Sequence, residues 1–321
     1  MSTAHPSTSP NAPIALIGRF APGEEQLWLE ALRRALPAER VFTIDSIANP
    51  AEVELAIVAN ADPAALRRLD GLIWVQSLWV GVEKLLAEPA LEHLPIVRMV
   101  DTQLARTMAE AVLAWSLYLH REMPAYLAQQ RQRQWRQLPY VAPAERRIGL
   151  LGLGVLGQAA ATTLVDAGFT VRGWSRTPKR MEGVETCSGR DGLAAMARQT
   201  DILVCLLPLT GQTRHLVDAT LLELLPPRAC VINFGRGPLV HTEDLLAALD
   251  SKRLAHAVLD VFDEEPLPAE SPLWDHPAIT VLPHISADTD PQTASLIVAR
   301  NVRHWRETGR VPQPVEKQRG Y

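Results

Sequence analysis

Short apolar runs of β type alternate with helical patterns along nearly the whole chain, and few folds admit that alternation. IALIG begins at Ile14, a helical pattern covers Glu24 to Leu36, and VFTI, LAIVA (Leu55 to Ala59) and IWVQSL (Ile73 to Leu78) follow. Strands separated by helices pair in parallel, with the helices covering the sheet. The spacing predicts longer connecting helices over Thr102 to His120 and Pro124 to Trp135. At Arg146 the alternation restarts with RIGLL and continues through FTVRGW, DILVCLL, ACVINF, HAVLDVF and ITVLP, a second sheet of about six strands. Helical periodicity from Asp290 to Thr308 precedes a Pro- and Gln-containing tail able to return to the first domain. The expected fold is therefore α/β, with two doubly wound parallel-sheet domains and no internal repeat of solenoid period. A discontinuous first domain takes residues 14–101 and 288–321, the inserted domain takes residues 102–287, and residues 1–13 form a disordered tail rich in Ser, Thr and Pro.

A chain of 321 residues that is 47% apolar can bury two cores. Its net charge of −4 leaves no electrostatic footprint for nucleic acid. The arginines Arg131, Arg133 and Arg136 read as a solvated helix face or an interface. Cys187, Cys205 and Cys230 have no metal-type spacing and read as buried thiols in a reducing compartment. The first residues lack the basic start and apolar centre of a signal peptide, and no apolar run reaches membrane-spanning length, so cytoplasm is expected.

Gly152-Leu153-Gly154-Val155-Leu156-Gly157 follows the apolar run Ile148 to Leu151 directly and precedes the helical run Gln158 to Ala167. In a strand-turn-helix the first glycine permits the tight turn and the second lets a pyrophosphate approach the backbone. The third allows helix and strand to pack closely, and the helix N-terminus favours the negative charge. A second strand, Phe169 to Trp174, follows at βαβ distance, which points to dinucleotide binding rather than a structural turn. Where an NAD site carries an acidic residue for the ribose diol, the sequence reads Gly173-Trp174-Ser175-Arg176-Thr177-Pro178-Lys179. Ser175, Arg176 and Lys179 suit a ribose 2′-phosphate, which a carboxylate there would repel. The bland alternative is a solvated loop after a strand.

Three later segments set polar groups at strand ends, where open α/β sheets bind ligands: Asn233-Phe234-Gly235-Arg236-Gly237, LDVFDEEPLP (Leu259 to Pro268) and Leu282-Pro283-His284-Ile285-Ser286. With the glycine turn, these segments resemble the D-2-hydroxyacid dehydrogenase family, whose NxxRG, LDVFxxEPLP and PH motifs occur here in the same order. The resemblance covers Ile14 to Tyr321 and is closest to the glyoxylate/hydroxypyruvate reductase A branch, through SLWVGVEKLL, GLGVLG, GWSRTPK, LLAALDS, LDVFDEEPLPAESPLW and the terminal RGY. It implies a flavodoxin-like substrate domain, an inserted Rossmann domain, a homodimer formed through Thr102 to Tyr140, and NADPH-dependent reduction of small 2-keto acids. Carried over residue by residue, it assigns catalysis to Arg236, Glu265 and His284, with Arg236 also on the substrate, and the backbone loop for the substrate carboxylate to Val80 and Gly81. Trp79 stands beside that loop and is a further candidate substrate contact. It assigns cofactor contacts to Gly152, Gly154, Val155, Leu156, Gly157, Trp174, Ser175, Arg176, Pro208, Thr213, Phe234 and Asp260. Ser286 departs from the family pattern and leaves the contact to the nicotinamide amide open.

Residue chemistry accords with these roles. Reducing a 2-keto acid requires a cation for the carboxylate, a proton donor for the carbonyl oxygen, and a group that keeps the donor protonated. Arg236, His284 and Glu265 can serve in that order, without a metal. By chemistry alone Asp263 and Glu264 compete with Glu265, His241, His256 and His276 compete with His284, and Arg236 could be a structural ion pair. Trp79 is either a core tryptophan or a wall that limits the keto acid's side chain. Closure of a cleft through the segments near Asp101 to Thr107 and Ala287 to Thr293 would exclude water. The competing functions are a dehydrogenase for a bulkier 2-keto acid and an NAD(P)-sensing regulatory protein. A Ser/His/Asp hydrolase lacks its GxSxG turn here.

Overall fold

The computed structural model describes residues 12–60 and 63–320, so the tail expected over residues 1–13 lies almost wholly outside the described residues. Ala12 is already buried. The chain divides into two compact units, one running through Gln103 and resuming at Thr289, the other spanning Leu104–Asp288.

The first unit holds strands β1 (Ile14–Gly18), β2 (Val41–Thr43), β3 (Leu55–Ala59), β4 (Trp74–Ser77) and β5 (Ile96–Val97) in the order β2-β1-β3-β4-β5. Every pair is parallel, and this is the flavodoxin-like winding. β1 and β3 are apolar without alternation because both sheet faces are covered. The helices Glu24–Ala35 and Pro291–Thr308 cover one face through Trp28, Leu32, Val298 and Trp305, which makes this unit discontinuous in sequence. Asp290 caps the terminal helix by accepting the Gln292 N–H at 2.9 Å, and Thr293 Oγ1 donates to Asp101 Oδ2 at 2.7 Å. β5 escapes sequence reading because two residues show no period.

The second unit holds β6 (Arg147–Leu151), β7 (Thr170–Trp174), β8 (Val184–Cys187), β9 (Ile202–Cys205), β10 (Ala229–Asn233), β11 (Leu254–Leu259) and β12 (Ile279–Val281). Their order, β12-β11-β10-β9-β6-β7-β8, is the Rossmann arrangement extended by one strand, and it reverses direction between β6 and β9. The strand not anticipated is β8, a polar edge strand whose Glu185 and Thr186 break any apolar run. Register does the functional work: Leu151 pairs with Trp174 and Cys205, Cys205 with Asn233, Asn233 with Leu259, and Leu259 with Val281. The loops after all these strands therefore leave from one edge.

The helix Thr102–His120 has the expected limits, whereas Met123–Arg131 stops short of Trp135. Arg133 is left-handed (φ 54), its N–H bonds the Gln130 carbonyl and the Gln134 N–H bonds that of Gln129, the paired bonds of a Schellman stop. Arg131, Arg133 and Arg136 are exposed. Burial pushes the Cys205 and Cys230 thiols up to about 12, so neither is a nucleophile. Among the described residues no helix is long and apolar enough to cross a membrane, and no group of three or more acidic, His or Cys residues could hold a metal.

Candidate active site

The three glycines of the turn after β6 serve three physical needs. Gly152 has φ 109, and a Cβ there would lie 3.0 Å from the Leu206 carbonyl oxygen. At Gly157 a Cβ would fall 1.8 Å from the Gly152 carbonyl oxygen, so the helix could not sit over the turn. At Gly154 a Cβ would meet nothing within 4 Å, which leaves open space in front of the backbone. A pyrophosphate fits such a surface, because the helix Val155–Asp166 begins there and presents unpaired N–H groups. The helix starts at Val155, ahead of the expected Gln158, with Gly154 as its cap. Val155 is exposed and Leu156 half-buried.

At the end of β7, Trp174 donates its ring N–H to the Gly189 carbonyl at 2.8 Å. Ser175 is buried and its hydroxyl donates to the Thr177 carbonyl at 2.7 Å, so that hydroxyl braces its own loop, while Arg176 stands exposed. Lys179 Nζ turns back to donate to the Leu153 carbonyl at 2.5 Å. After β9, Thr213 Oγ1 donates to the Pro208 carbonyl at 2.7 Å and accepts the Thr210 N–H at 2.8 Å, fixing that loop. The Phe234 side chain belongs to the core around Ile148 and Val258.

Arg236 leaves β10 on a loop held by the buried Asn233, whose Oδ1 accepts the Gly235 N–H at 3.2 Å and whose Nδ2 donates to the Arg236 carbonyl at 2.9 Å. Gly237 is required by close approach: a Cβ would lie 2.0 Å from the Phe262 carbonyl carbon, so the loops after β10 and β11 touch backbone to backbone. Glu265 Oε1 accepts the Phe262 N–H at 2.9 Å, which turns Oε2 onto His284 Nδ1 at 2.8 Å. His284 is left-handed (φ 56), and Asp260 stabilises that bend by accepting the Ile285 N–H at 2.7 Å and the Ser286 N–H at 2.9 Å. Asp260, expected as a cofactor contact, thus has both carboxylate oxygens occupied by the histidine loop. The Ser286 hydroxyl is buried with no partner among the described residues.

The electrostatics follow from this packing. The hydrogen bond that His284 donates to Glu265, aided by the charges of Glu265 and Asp260, raises the His284 pKa above its ordinary value against burial and the opposing charge of Arg236. Burial pushes Glu265 up, but the hydrogen bonds from His284 and the Phe262 N–H, with the positive charges of His284 and Arg236, hold it below the usual value. Glu265 is therefore anionic and His284 stays protonated to higher pH than a free imidazole, with its Nδ1–H engaged by Glu265.

The competing groups are differently engaged. Asp263 and Glu264 are exposed, and of the three adjacent carboxylates Glu265 is the one bonded to His284. His256 lies within β11, meets Thr280 Oγ1 at 2.9 Å, and is lowered to about 4 by burial. His241 pairs with Asp244 at 3.0 Å, and His276 with Asp250 at 3.3 Å. In the first unit, Trp79 meets Trp28 edge-on at 5.9 Å, and its backbone is tied to Ser77 Oγ at 3.0 Å, with Val80 and Gly81 half-buried beyond it. Sequence reasoning passed over the bracing role of Asn233, although an Asn opening a turn at a strand end is its recognisable signal.

Residues 113–286, a span holding the glycine turn, Arg236, Glu265 and His284, match the family model for the NAD-binding domain of D-isomer specific 2-hydroxyacid dehydrogenases. The chain belongs to that family. It is accordingly an oxidoreductase with a Rossmann NAD(P)-binding domain. Among solved structures it is similar to a D-isomer specific 2-hydroxyacid dehydrogenase from Xanthobacter autotrophicus Py2 in complex with NADPH and MES, with 38% identity over 96% of this chain and 99% of that one and a TM-score of 0.90. An NADPH-dependent glyoxylate/hydroxypyruvate reductase from Sinorhizobium meliloti, in complex with NADP and sulfate, is 35% identical over 97% of this chain and 100% of the other, with a TM-score of 0.89. A probable 2-hydroxyacid dehydrogenase from Rhizobium etli CFN 42, in complex with NADP, HEPES and L(+)-tartaric acid, is 31% identical over 96% and 99%, with a TM-score of 0.87.

Proposed function

We propose that this dehydrogenase is an NADPH-dependent reductase of small 2-keto acids, converting glyoxylate to glycolate and hydroxypyruvate to D-glycerate. The observation that carries the reading is the 2.8 Å bond between His284 Nδ1 and Glu265 Oε2, one strand end away from Arg236 and on the same sheet edge as the glycine turn. A bound NADPH would supply the hydride. Gly152, Gly154, Val155, Leu156 and Gly157 would hold the pyrophosphate, and Arg176, on a loop with no carboxylate at the end of β7, would take the 2′-phosphate. Trp174, Ser175, Pro208, Thr213, Phe234 and Asp260 would shape or brace the rest of the cofactor site. Arg236 binds the substrate carboxylate, His284 gives its Nε2 proton to the ketone oxygen, and Glu265 keeps the imidazole charged until that transfer.

The preference for NADPH is supported by the NADPH-dependent relative and by the loop chemistry after β7. The choice of glyoxylate and hydroxypyruvate rests on that relative and on the resemblance; the roles of Val80 and Gly81 in substrate binding rest on the resemblance, and that of Trp79 on its place beside them. Residues 14–101 and 288–321 act as the substrate domain and residues 102–287 as the dinucleotide-binding domain. We assign the enzyme to the cytoplasm, where its three free thiols would stay reduced. A homodimer through Thr102 to Tyr140 accounts for the exposed Met123, Tyr126, Leu127, Trp135 and Tyr140 in that stretch.

Steady-state rates on a series of 2-keto acids of increasing size, each with NADPH and with NADH, test the reading. Glyoxylate and hydroxypyruvate with NADPH should give the highest kcat/KM, and light scattering on the same preparation should give twice the chain mass. Faster turnover of bulky keto acids, or a preference for NADH, would replace the substrate or cofactor named here, and no NADPH oxidation with any keto acid would leave a sensing role.

A further inference from the structure

Leu153, the residue between the first two glycines of the turn, is held from several directions. Its side chain is buried against Gly173 of β7, where a Cβ would come within 2.6 Å of Leu153 Cδ2. Its carbonyl accepts two hydrogen bonds, from Gln158 Nε2 at 2.9 Å and from Lys179 Nζ at 2.5 Å. Lys179 is itself anchored, since its carbonyl accepts Thr186 Oγ1 of β8 at 2.5 Å. An ammonium from the loop that follows Arg176 is thus committed to the glycine turn.

The Leu153 carbonyl and the Gly154 N–H belong to one planar trans peptide, so they point in opposite directions. Fixing the carbonyl on the Lys179 side fixes the Gly154 N–H on the other, at the glycine whose surroundings are open. A cation on the carbonyl also polarises the peptide and strengthens its N–H as a donor. We infer that Lys179 is a positioning residue that aims the Gly154 N–H of the pyrophosphate turn, so that it supports NADPH and NADH alike, whereas Arg176 alone discriminates between them. The inference rests on the reading of the turn as a dinucleotide site.

Calorimetric titration of the full chain with NADPH and with NADH separates the two roles, with thermal melting as the control for folding. Lys179→Met should weaken both cofactors by a similar factor, about tenfold for one charge-assisted bond, with an unchanged melting temperature. Lys179→Arg, which can still donate to the carbonyl, should recover most of that loss. Arg176→Ala should weaken NADPH only. A loss in Lys179→Met confined to NADPH would make Lys179 a phosphate ligand and overturn the inference, as would unchanged binding of both cofactors. If the unmodified chain binds neither dinucleotide, the dinucleotide-site reading fails first, and the inference with it.

Discussion

The five-stranded sheet of the first unit and the seven-stranded sheet of the second are both parallel and both covered on two faces, yet their strands run out into very different loops. At the end of β4 the chain passes through Ser77 and Trp79, a hydroxyl tied to backbone and an indole packed on another indole. After β10, β11 and β12 it presents Arg236, Asp260, Glu265 and His284, each carboxylate bonded to a named donor. One architecture, used twice, ends in an aromatic loop tied to its own backbone in one case and in a charged constellation in the other. Chemistry is thus carried by the loops rather than by the winding.

Removing the proposed proton donor, His284, from the charged edge should have the largest effect. His284→Gln should lower kcat/KM for keto-acid reduction by a factor on the order of 10²–10⁴ at every pH, while NADPH binding survives because the glycine turn is untouched. Near-normal turnover in that variant would move the search for the donor to His241, His256 or His276.

Glu265→Gln is a milder break of the same edge, and its sign follows from the linkage between the two side chains. Glu265 raises the His284 pKa, so its charge extends the pH range over which His284 is protonated. Without that charge, the alkaline limb of kcat/KM for reduction should move to lower pH, with activity lost progressively from the alkaline side. A pH–rate profile with the limb in its original position would separate Glu265 from the function of the histidine.

The smallest effect should come from the other sheet. Trp79→Ala should raise the relative rate on bulkier keto acids by about tenfold or less, at a stability cost of about 3 kcal/mol because the ring packs on Trp28. A folded variant with an unchanged ranking of substrates would make Trp79 a core residue only, and would sharpen the contrast between the two edges.

Much of this was legible in residue order because the signals are local. β1, β3, β6, β9, β10 and β11 are apolar runs bounded by turns, and Thr102–His120 has a helical period long enough to identify. The strand, the glycines and the following helix of the cofactor turn are adjacent in the chain, so their spacing carries their meaning. By contrast β5 and β8 are too short or too polar to show a period, and the stop at Arg133 depends on backbone conformation rather than on a glycine or proline.

The sequence by itself determined the α/β class, the dinucleotide turn and the types of side chain available for catalysis, since each depends on residues a few positions apart. Only the tertiary structure decided which of those side chains meet. Glu265 and His284 are 19 positions apart, and Asp260 is 25 from Ile285 and 26 from Ser286, and they join because parallel register brings their strands to one edge. The bond of Lys179 to Leu153 spans 26 positions in the same way. A long-range hydrogen bond leaves no trace in local spacing, because the energy that selects it is gained only when the sheet has closed.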